Sequence, residues 1–373
     1  MKKLILNGLE IHEYRVYSHL QMKRLGRVNL FVGKNNIGKS SVLEALWIYS
    51  QRGQPSSLVE ILQSRDELSR PLPFSLSSGS DARDRIWDVK HLFHGRKDVR
   101  DHLQPMIIGP IDRPSASLSI SIEWFSINDD EQGDVKQRFI PDPDRGTDSD
   151  PYLVIRLGKQ RRELHRLDRV FSRNYRPPRR PEFDRIAGQF IRANGLSSED
   201  VASLWDSIAL TDLEESVVAA LHLIAPEVQR VSFVGPQGRS SVRVPVARIS
   251  RLNEPVSLRS MGEGMNRILG IILALVNARE GMLLVDEIES GLHYTVQTNV
   301  WRLIFKLAHQ LNVQVFATTH SWDCIESFQK AAVEDLAEEG LLIRLENKDD
   351  EVNTTIFDEK RLSIATKEQI EVR

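Results

Sequence analysis

Apolar and polar positions alternate differently in the two halves of the chain, and each rhythm predicts its own kind of element. Residues 3–17 read as one or two strands leading to a turn, and Val28–Val32 is a short apolar run of the kind a strand buried on both faces requires. Ser40–Ser50 predicts a helix, whereas 51–85, rich in Ser, Pro and Arg, reads as a loop or broken helix. Ser117–Phe125 (SLSISIEWF) alternates with period two and predicts a half-buried antiparallel strand. Asp129–Pro151, dense in aspartate and proline, reads as a mobile excursion between strands. Tyr152–Leu157 resumes a strand, and the following RRELHRL either continues it or pairs back on it. Asp212–Ile224 has helical spacing, with Thr211 as N-cap and Pro226 just past its end. Val231–Val234 and Val242–Ile249 are strand-like.

The second half turns to βα units. Leu258–Ala278 is a polar, glycine-containing turn feeding a long apolar helix. Gly281–His293 (GMLLVDEIESGLH) is a buried strand ended by Asp286 and Glu287. Leu311–Ser321 (LNVQVFATTHS) is a further strand ending at His320, and Trp301–Leu307 supplies the crossover helix between the two. After Leu341 come one strand-like run and a charged tail. The expected fold is α/β: a P-loop core from 1–50 and 225–345, an antiparallel β subdomain with an inserted, mainly helical or irregular region over 51–224, and a charged C-terminal tail at 346–373.

Composition narrows the setting. A chain of 373 residues suggests two or three domains, although large α/β units reach this size. The formal net charge of −2 argues against a wholly basic nucleic-acid coat. The single cysteine, Cys324, rules out an internal disulfide framework and suits a reducing compartment. The apolar run near the N-terminus is too short for a signal peptide, and no run approaches the ~18 apolar residues of a membrane span. A cytoplasmic protein with no membrane partner is expected.

Local charge is another matter. Between Arg156 and Arg192 the balance is +8, including Arg161, Arg162, Arg166, Arg169 and Arg173, with Phe171, Tyr175 and Phe183 interleaved. Such a stretch suits phosphate backbones. It equally suits an acidic protein partner or a solvated surface.

The chemistry centres on Gly33-Lys34-Asn35-Asn36-Ile37-Gly38-Lys39-Ser40, which fits G-x-x-x-x-G-K-S/T at every fixed position. Glycines let the backbone wrap a polyphosphate, and the amides of the new helix point at its charge. Lys39 is placed to reach the β/γ-phosphates and Ser40 to offer its hydroxyl to Mg²⁺, with Ser41 following in the first turn. Two adjacent carboxylates at the end of a buried strand are costly unless paired or coordinating metal. Asp286 is thus the Mg²⁺ carboxylate and Glu287 the residue that polarises the attacking water. His320 suits hydrogen bonding to the γ-phosphate or positioning that water. Gly262 and Gly264 leave a second helix N-terminus uncluttered, a ready anion site.

Taken together these residues resemble the ABC-type ATPase fold, closer to the branch containing SMC, RecF and OLD proteins than to the transporter branch. The matching segments are Gly33–Ser40 (Walker A), Ser260-Met261-Gly262-Glu263-Gly264 (signature), Leu283–Glu287 (Walker B), Ser290-Gly291-Leu292-His293 (D-loop) and His320 (switch histidine). DEIESGLHY followed by FATTHSWD resembles the OLD-like, AAA-annotated ATPases of prokaryotic defence loci. The resemblance implies ATP and Mg²⁺ as ligands and a dimer in which Ser260, Gly262, Glu263 and Gly264 act on the other subunit's ATP. Met261 stands where the family carries its first signature glycine, His293 where transporters carry Asp, and no Q-loop glutamine stands out beyond Gln51 and Gln104. OLD nucleases append a Toprim domain, for which the 53 residues after His320 are too few. The expectation is an ATP-hydrolysing switch that gates a separately encoded effector, a Toprim-like or other nuclease, in antiviral defence. The rivals are a DNA-end-processing ATPase that uses the basic segment directly and a non-hydrolysing scaffold.

Overall fold

The computed structural model describes residues 3–68, 86–99, 101, 103–128, 138–142, 149–158, 161–172, 175, 183–235, 243–250, 252, 254–335, 340–348 and 351–368. With strands numbered in chain order, the central sheet contains β3 (Val28–Val32), β9 (Gly188–Ile191), β13 (Met282–Val285), β14 (Gln314–Thr318), β15 (Gly340–Lys348) and β16 (Glu351–Phe357). Its order is β16-β15-β3-β14-β13-β9, and every pair is parallel except the antiparallel edge β15–β16. An antiparallel sheet holds β1 (Leu9–Tyr14), β2 (Tyr17–Met22), β4 (Met106–Gly109), β5 (Leu118–Asn128), β6 (Arg138–Pro141), β7 (Asp150–Leu157) and β8 (Arg161–Arg166). A small third sheet holds β10 (Val228–Val234), β11 (Val244–Ile249) and β12 (Val256–Ser257).

Among the described residues the α-helices longer than one turn are α1 (Lys39–Ser50), α2 (Pro55–Ser64), α3 (Ser198–Asp206), α4 (Asp212–Ile224), α5 (Glu263–Asn277), α6 (Tyr294–Leu311), α7 (Trp322–Asp335) and α8 (Glu359–Lys367). The inner strands β3, β13 and β14 are mostly apolar and buried along their whole length because both faces are covered. Val28, Leu30 and Val32 point into one core with α3 to α7, and Phe31 points into another with α1, α2 and the antiparallel sheet. Sandwiched this way, α1 buries nine of its twelve residues, Glu44 among them. That carboxylate accepts from Tyr14 Oη at 3.0 Å and pairs with Arg15 Nε at 2.7 Å and Arg65 Nε at 2.6 Å, which locks the helix to the β1–β2 hairpin.

Three expectations differ from what folds. The charged tail expected at 346–373 includes ordered elements: β16 and α8 form there, and β16 closes one edge of the central sheet. The region 51–224 is not wholly apart from the core, because β9 pairs with β13 and α3 and α4 pack in the same core as α5. Within the Asp129–Pro151 excursion β6 pairs with β5; residues 129–137 and 143–148 lie outside the described residues. Among the described residues no helix is long and apolar enough to cross a membrane.

Candidate functional site

The phosphate loop joins β3 to α1 at the carboxyl edge of the central sheet, where ligands of parallel sheets bind. Lys34, Asn35 and Asn36 are exposed at its tip, while Gly33 and Ser41 are buried. Gly38 caps α1 with φ +104° and offers no side chain to the first-turn amides. A Cβ there would lie 2.3 Å from Tyr17 Oη, which donates to the Gly38 carbonyl at 2.7 Å, so only glycine serves this position. The result is an uncapped helix N-terminus at the end of a narrow cradle, which fits a bound phosphate. Lys39 Nζ turns back on its own loop, donating to the carbonyls of Gly33 at 2.7 Å and Lys34 at 3.1 Å. Burial draws its pKa below the ordinary lysine value, and Asp286, Glu287 and Glu289 only partly offset that.

Beneath the loop the strand ends converge. Ser40 Oγ donates to Asp286 Oδ1 at 3.1 Å across 246 residues of sequence. Thr318 Oγ1, at the end of β14, donates to the same oxygen at 2.5 Å and accepts from the Glu287 backbone N–H at 2.8 Å. Ser40 and Asp286 therefore offer two adjacent oxygen donors, the chemistry a hard divalent cation such as Mg²⁺ selects. Glu287 sits at φ +46°, a left-handed conformation costing roughly 1–3 kcal/mol that persists where the surroundings enforce it. Its carboxylate is 44% exposed and lies 3.8 Å from His320 Nδ1, which is equally far from Glu289 Oε1. The His320 backbone N–H donates to Glu289 Oε1 at 3.2 Å.

The signature segment stands elsewhere on the surface. Ser260, Gly262 and Glu263 are exposed, and Ser260 Oγ donates to the Ser257 carbonyl at 2.6 Å. Gly262 starts α5 at φ +113° with no side-chain cap, and a Cβ on it would meet nothing within 4 Å. Gly264 packs on the D-loop, where its Cβ would come 2.9 Å from the Gly291 carbonyl oxygen. Met261, in place of a glycine, packs against the core beneath α5. His293 caps α6, with Nδ1 2.9 Å from Thr295 Oγ1.

The basic segment is partly neutralised. Arg166 pairs with Asp150 at 3.1 Å and Asp168 at 2.9 Å, Arg156 with Glu123 at 2.6 Å, and Arg192 with Glu60 at 3.0 Å. Arg162 and Arg169 are exposed; Arg173 and the Arg161 side chain lie outside the described residues.

Two site residues escaped the sequence reading. Thr318 bridges both Walker B carboxylate residues, but a threonine at a strand end carries no signal of its own. Arg267, on the second turn of α5, donates to the carbonyls of Arg192 at 3.2 Å, Asp286 at 3.1 Å and Glu287 at 3.2 Å. It ties the signature helix to the ends of β9 and β13. Burial lowers its pKa against the pull of Asp286 and Glu289. Gln51 is not a Q-loop: it caps the far end of α1, roughly 18 Å along the axis from Lys39.

Comparison with known proteins matches residues 116–323 to the family described as "AAA domain, putative AbiEii toxin, Type IV TA system" and residues 4–130 to the "AAA ATPase domain" family. An "ATP/GTP phosphatase" of Helicobacter pylori is 23% identical, the match covering 92% of this chain and 93% of that protein. Solved structures with similarity include an SMC head bound to the C-terminal winged helix domain of ScpA (TM-score 0.47, 12% identity, covering 95% of this chain and 98% of that one). The SMC head domain of Thermotoga maritima gives a TM-score of 0.43 at 11% identity, covering 95% and 99%. That of Pyrococcus furiosus, bound to the C-terminal domain of ScpA, gives 0.48 at 10%, covering 98% and 99%. With more than half of its length under the first of these family models, the chain belongs to the AAA-domain family described as "AAA domain, putative AbiEii toxin, Type IV TA system".

Proposed function

We propose that this chain is a Mg²⁺-dependent ATPase that dimerises around ATP and gates a separately encoded effector, a nuclease of Toprim or similar type, in antiviral defence. The observation that carries the ATPase reading is the convergence of Ser40, Asp286, Thr318 and Glu287 at the strand ends under a phosphate loop. Mg²⁺ held by Ser40 and Asp286 would offset phosphate charge as it shifts towards the leaving oxygen. Lys39 leaves its loop carbonyls for the β/γ-phosphates. Glu287 orients a water and takes its proton as the new P–O bond forms and the bond from the γ-phosphorus to ADP breaks. His320 faces Glu287 from the solvent side and holds that water in line.

Dimerisation is supported by the second helix N-terminus. Gly262 and Glu263 are exposed at its start and no side chain caps it, so a phosphate carried by a second subunit has access to this helix end. Arg267 couples the two halves, since any movement of α5 is felt at the carbonyls of Asp286 and Glu287. The effector reading rests on the family description, which names a toxin, and on the OLD-like wording around Glu287 and His320.

The test is Glu287→Gln. Turnover should fall by at least about 100-fold while ATP is still bound and the protein stalls as a dimer. Equal turnover in the two proteins would sink the catalytic assignment. Direct nucleic-acid binding is the second reading, favoured by exposed Arg162 and Arg169. It requires that reversing both charges flatten the salt dependence of DNA affinity.

A further inference from the structure

The outer face of the β1–β2 hairpin carries a cluster that the nucleotide reading does not use. The antiparallel register sets His12 directly opposite His19 and Glu10 opposite Gln21, on the face away from buried Leu9, Ile11 and Leu20. Directly opposed residues hold their Cβ atoms about 4.5–5.5 Å apart, close enough for two imidazoles to converge. Glu10 Oε1 is their common partner, 2.9 Å from His19 Nε2 and 3.2 Å from His12 Nε2. Gln21 Nε2 donates to the same oxygen at 2.6 Å and fixes the carboxylate. One donor atom from each of Glu10, His12 and His19 lies within 4.8 Å of the other two.

We propose that Glu10, His12 and His19 form a binding site for a divalent first-row transition metal of the zinc class. Two imidazole nitrogens and one carboxylate oxygen are a donor set for such an ion, and they leave a fourth position for water or an exogenous ligand. Tetrahedral coordination needs donors about 3.4 Å apart, and both carboxylate–imidazole distances are already within half an ångström of that. The required adjustment is in the rings, which are stacked with centroids 4.2 Å apart and planes 8° from parallel. They reach a shared ion by turning about χ2, a soft torsion in histidine. Gln21 supplies the outer hydrogen bond that ligating carboxylates characteristically carry. His19 and Gln21 also line a cavity of about 590 Å³ shared with Lys23, Thr354 and Arg361, which leaves room for the fourth ligand.

A purely structural role, with Glu10 as a hydrogen-bond acceptor for its neighbours, makes a different prediction. Full-length protein stripped with a chelator is titrated with Zn²⁺ against a fluorescent indicator, in excess Mg²⁺ to occupy the Ser40–Asp286 donors. Wild type is expected to take up one equivalent, and His12→Ala, His19→Ala and Glu10→Gln each to weaken uptake by at least about 10–100-fold. His222→Ala, on an exposed helix face, is the control and should bind as wild type. Co²⁺ should give the visible absorption of four-coordinate cobalt in wild type and not in His12→Ala. Melting without metal shows that each variant is folded, and His19→Gln replaces any variant that is not. Uptake equal in wild type and the three ligand variants, or no uptake at all, overturns the proposal. Because the readout is metal and not turnover, its failure leaves the ATPase reading standing.

Discussion

Two helices of this protein begin at a glycine with positive φ and no side-chain cap, and they have opposite surroundings. At the start of α1, Gly38 is pressed against Tyr17, with Lys39, Ser40 and Asp286 gathered around the same end. At the start of α5, Gly262 faces open space. Both ends present unsatisfied amides and the positive end of a helix dipole. One stands over a serine and carboxylate brought together from distant parts of the chain, and beside the other Glu263 and Arg267 line an open cavity of about 260 Å³ with Asn194, Gly195 and Gly291. The same local chemistry thus stands beside a pair of cation-binding oxygens in one place and, in the dimer proposed above, faces a second subunit in the other.

The largest test of that contrast is Gly38→Ala. A left-handed penalty of roughly 1–2 kcal/mol, added to an overpacking cost of about 1–3 kcal/mol against Tyr17, should lower the melting temperature and abolish ATP binding. Gly262→Ala has no clash to relieve and pays only for its backbone, about 1–3 kcal/mol. It should bind ATP as wild type does but lose turnover, and equal ATP affinities in the two variants would remove the distinction. Next comes Thr318→Val, which keeps shape and deletes the hydroxyl between Asp286 and Glu287. Stability should fall by about 1–3 kcal/mol, with a parallel loss of turnover read in a steady-state assay. Smallest is a pH effect. Lys39 has a lowered folded pKa, so its charging opposes folding below that pKa and the penalty is relieved as pH rises through it towards the unfolded value. Nucleotide-free protein should therefore gain stability relative to Lys39→Met as pH rises towards about 10 in thermal melts.

Much of the α1 end was legible in the sequence because its parts are local. The loop, its flanking apolar strand and the carboxylates closing β13 each occupy a few consecutive residues, and burial on both faces makes such strands continuous apolar runs. What escaped is set by partners far along the chain. β9 is four residues (GQFI) at the end of a basic segment, and only pairing with β13 makes it a strand. β16 (EVNTTIF) reads as part of a charged tail because edge strands keep polar side chains facing solvent. The +8 of the basic segment could be counted, but not its pairing with Glu123, Asp150 and Glu60. Arg267 announced nothing either, since its three acceptors are backbone carbonyls.

One contact in the phosphate loop bears on how the protein is made. Gly33 lies so close to the backbone of β15 that a Cβ on it would stand 2.4 Å from the Leu345 carbonyl oxygen. The loop's floor is therefore laid by a strand translated roughly 300 residues later. At about 5–20 residues per second, a ribosome spends about 15–60 s between the two. Over that interval the nascent chain carries the phosphate loop without the wall that shapes it, so nucleotide capture waits until β15 has been made.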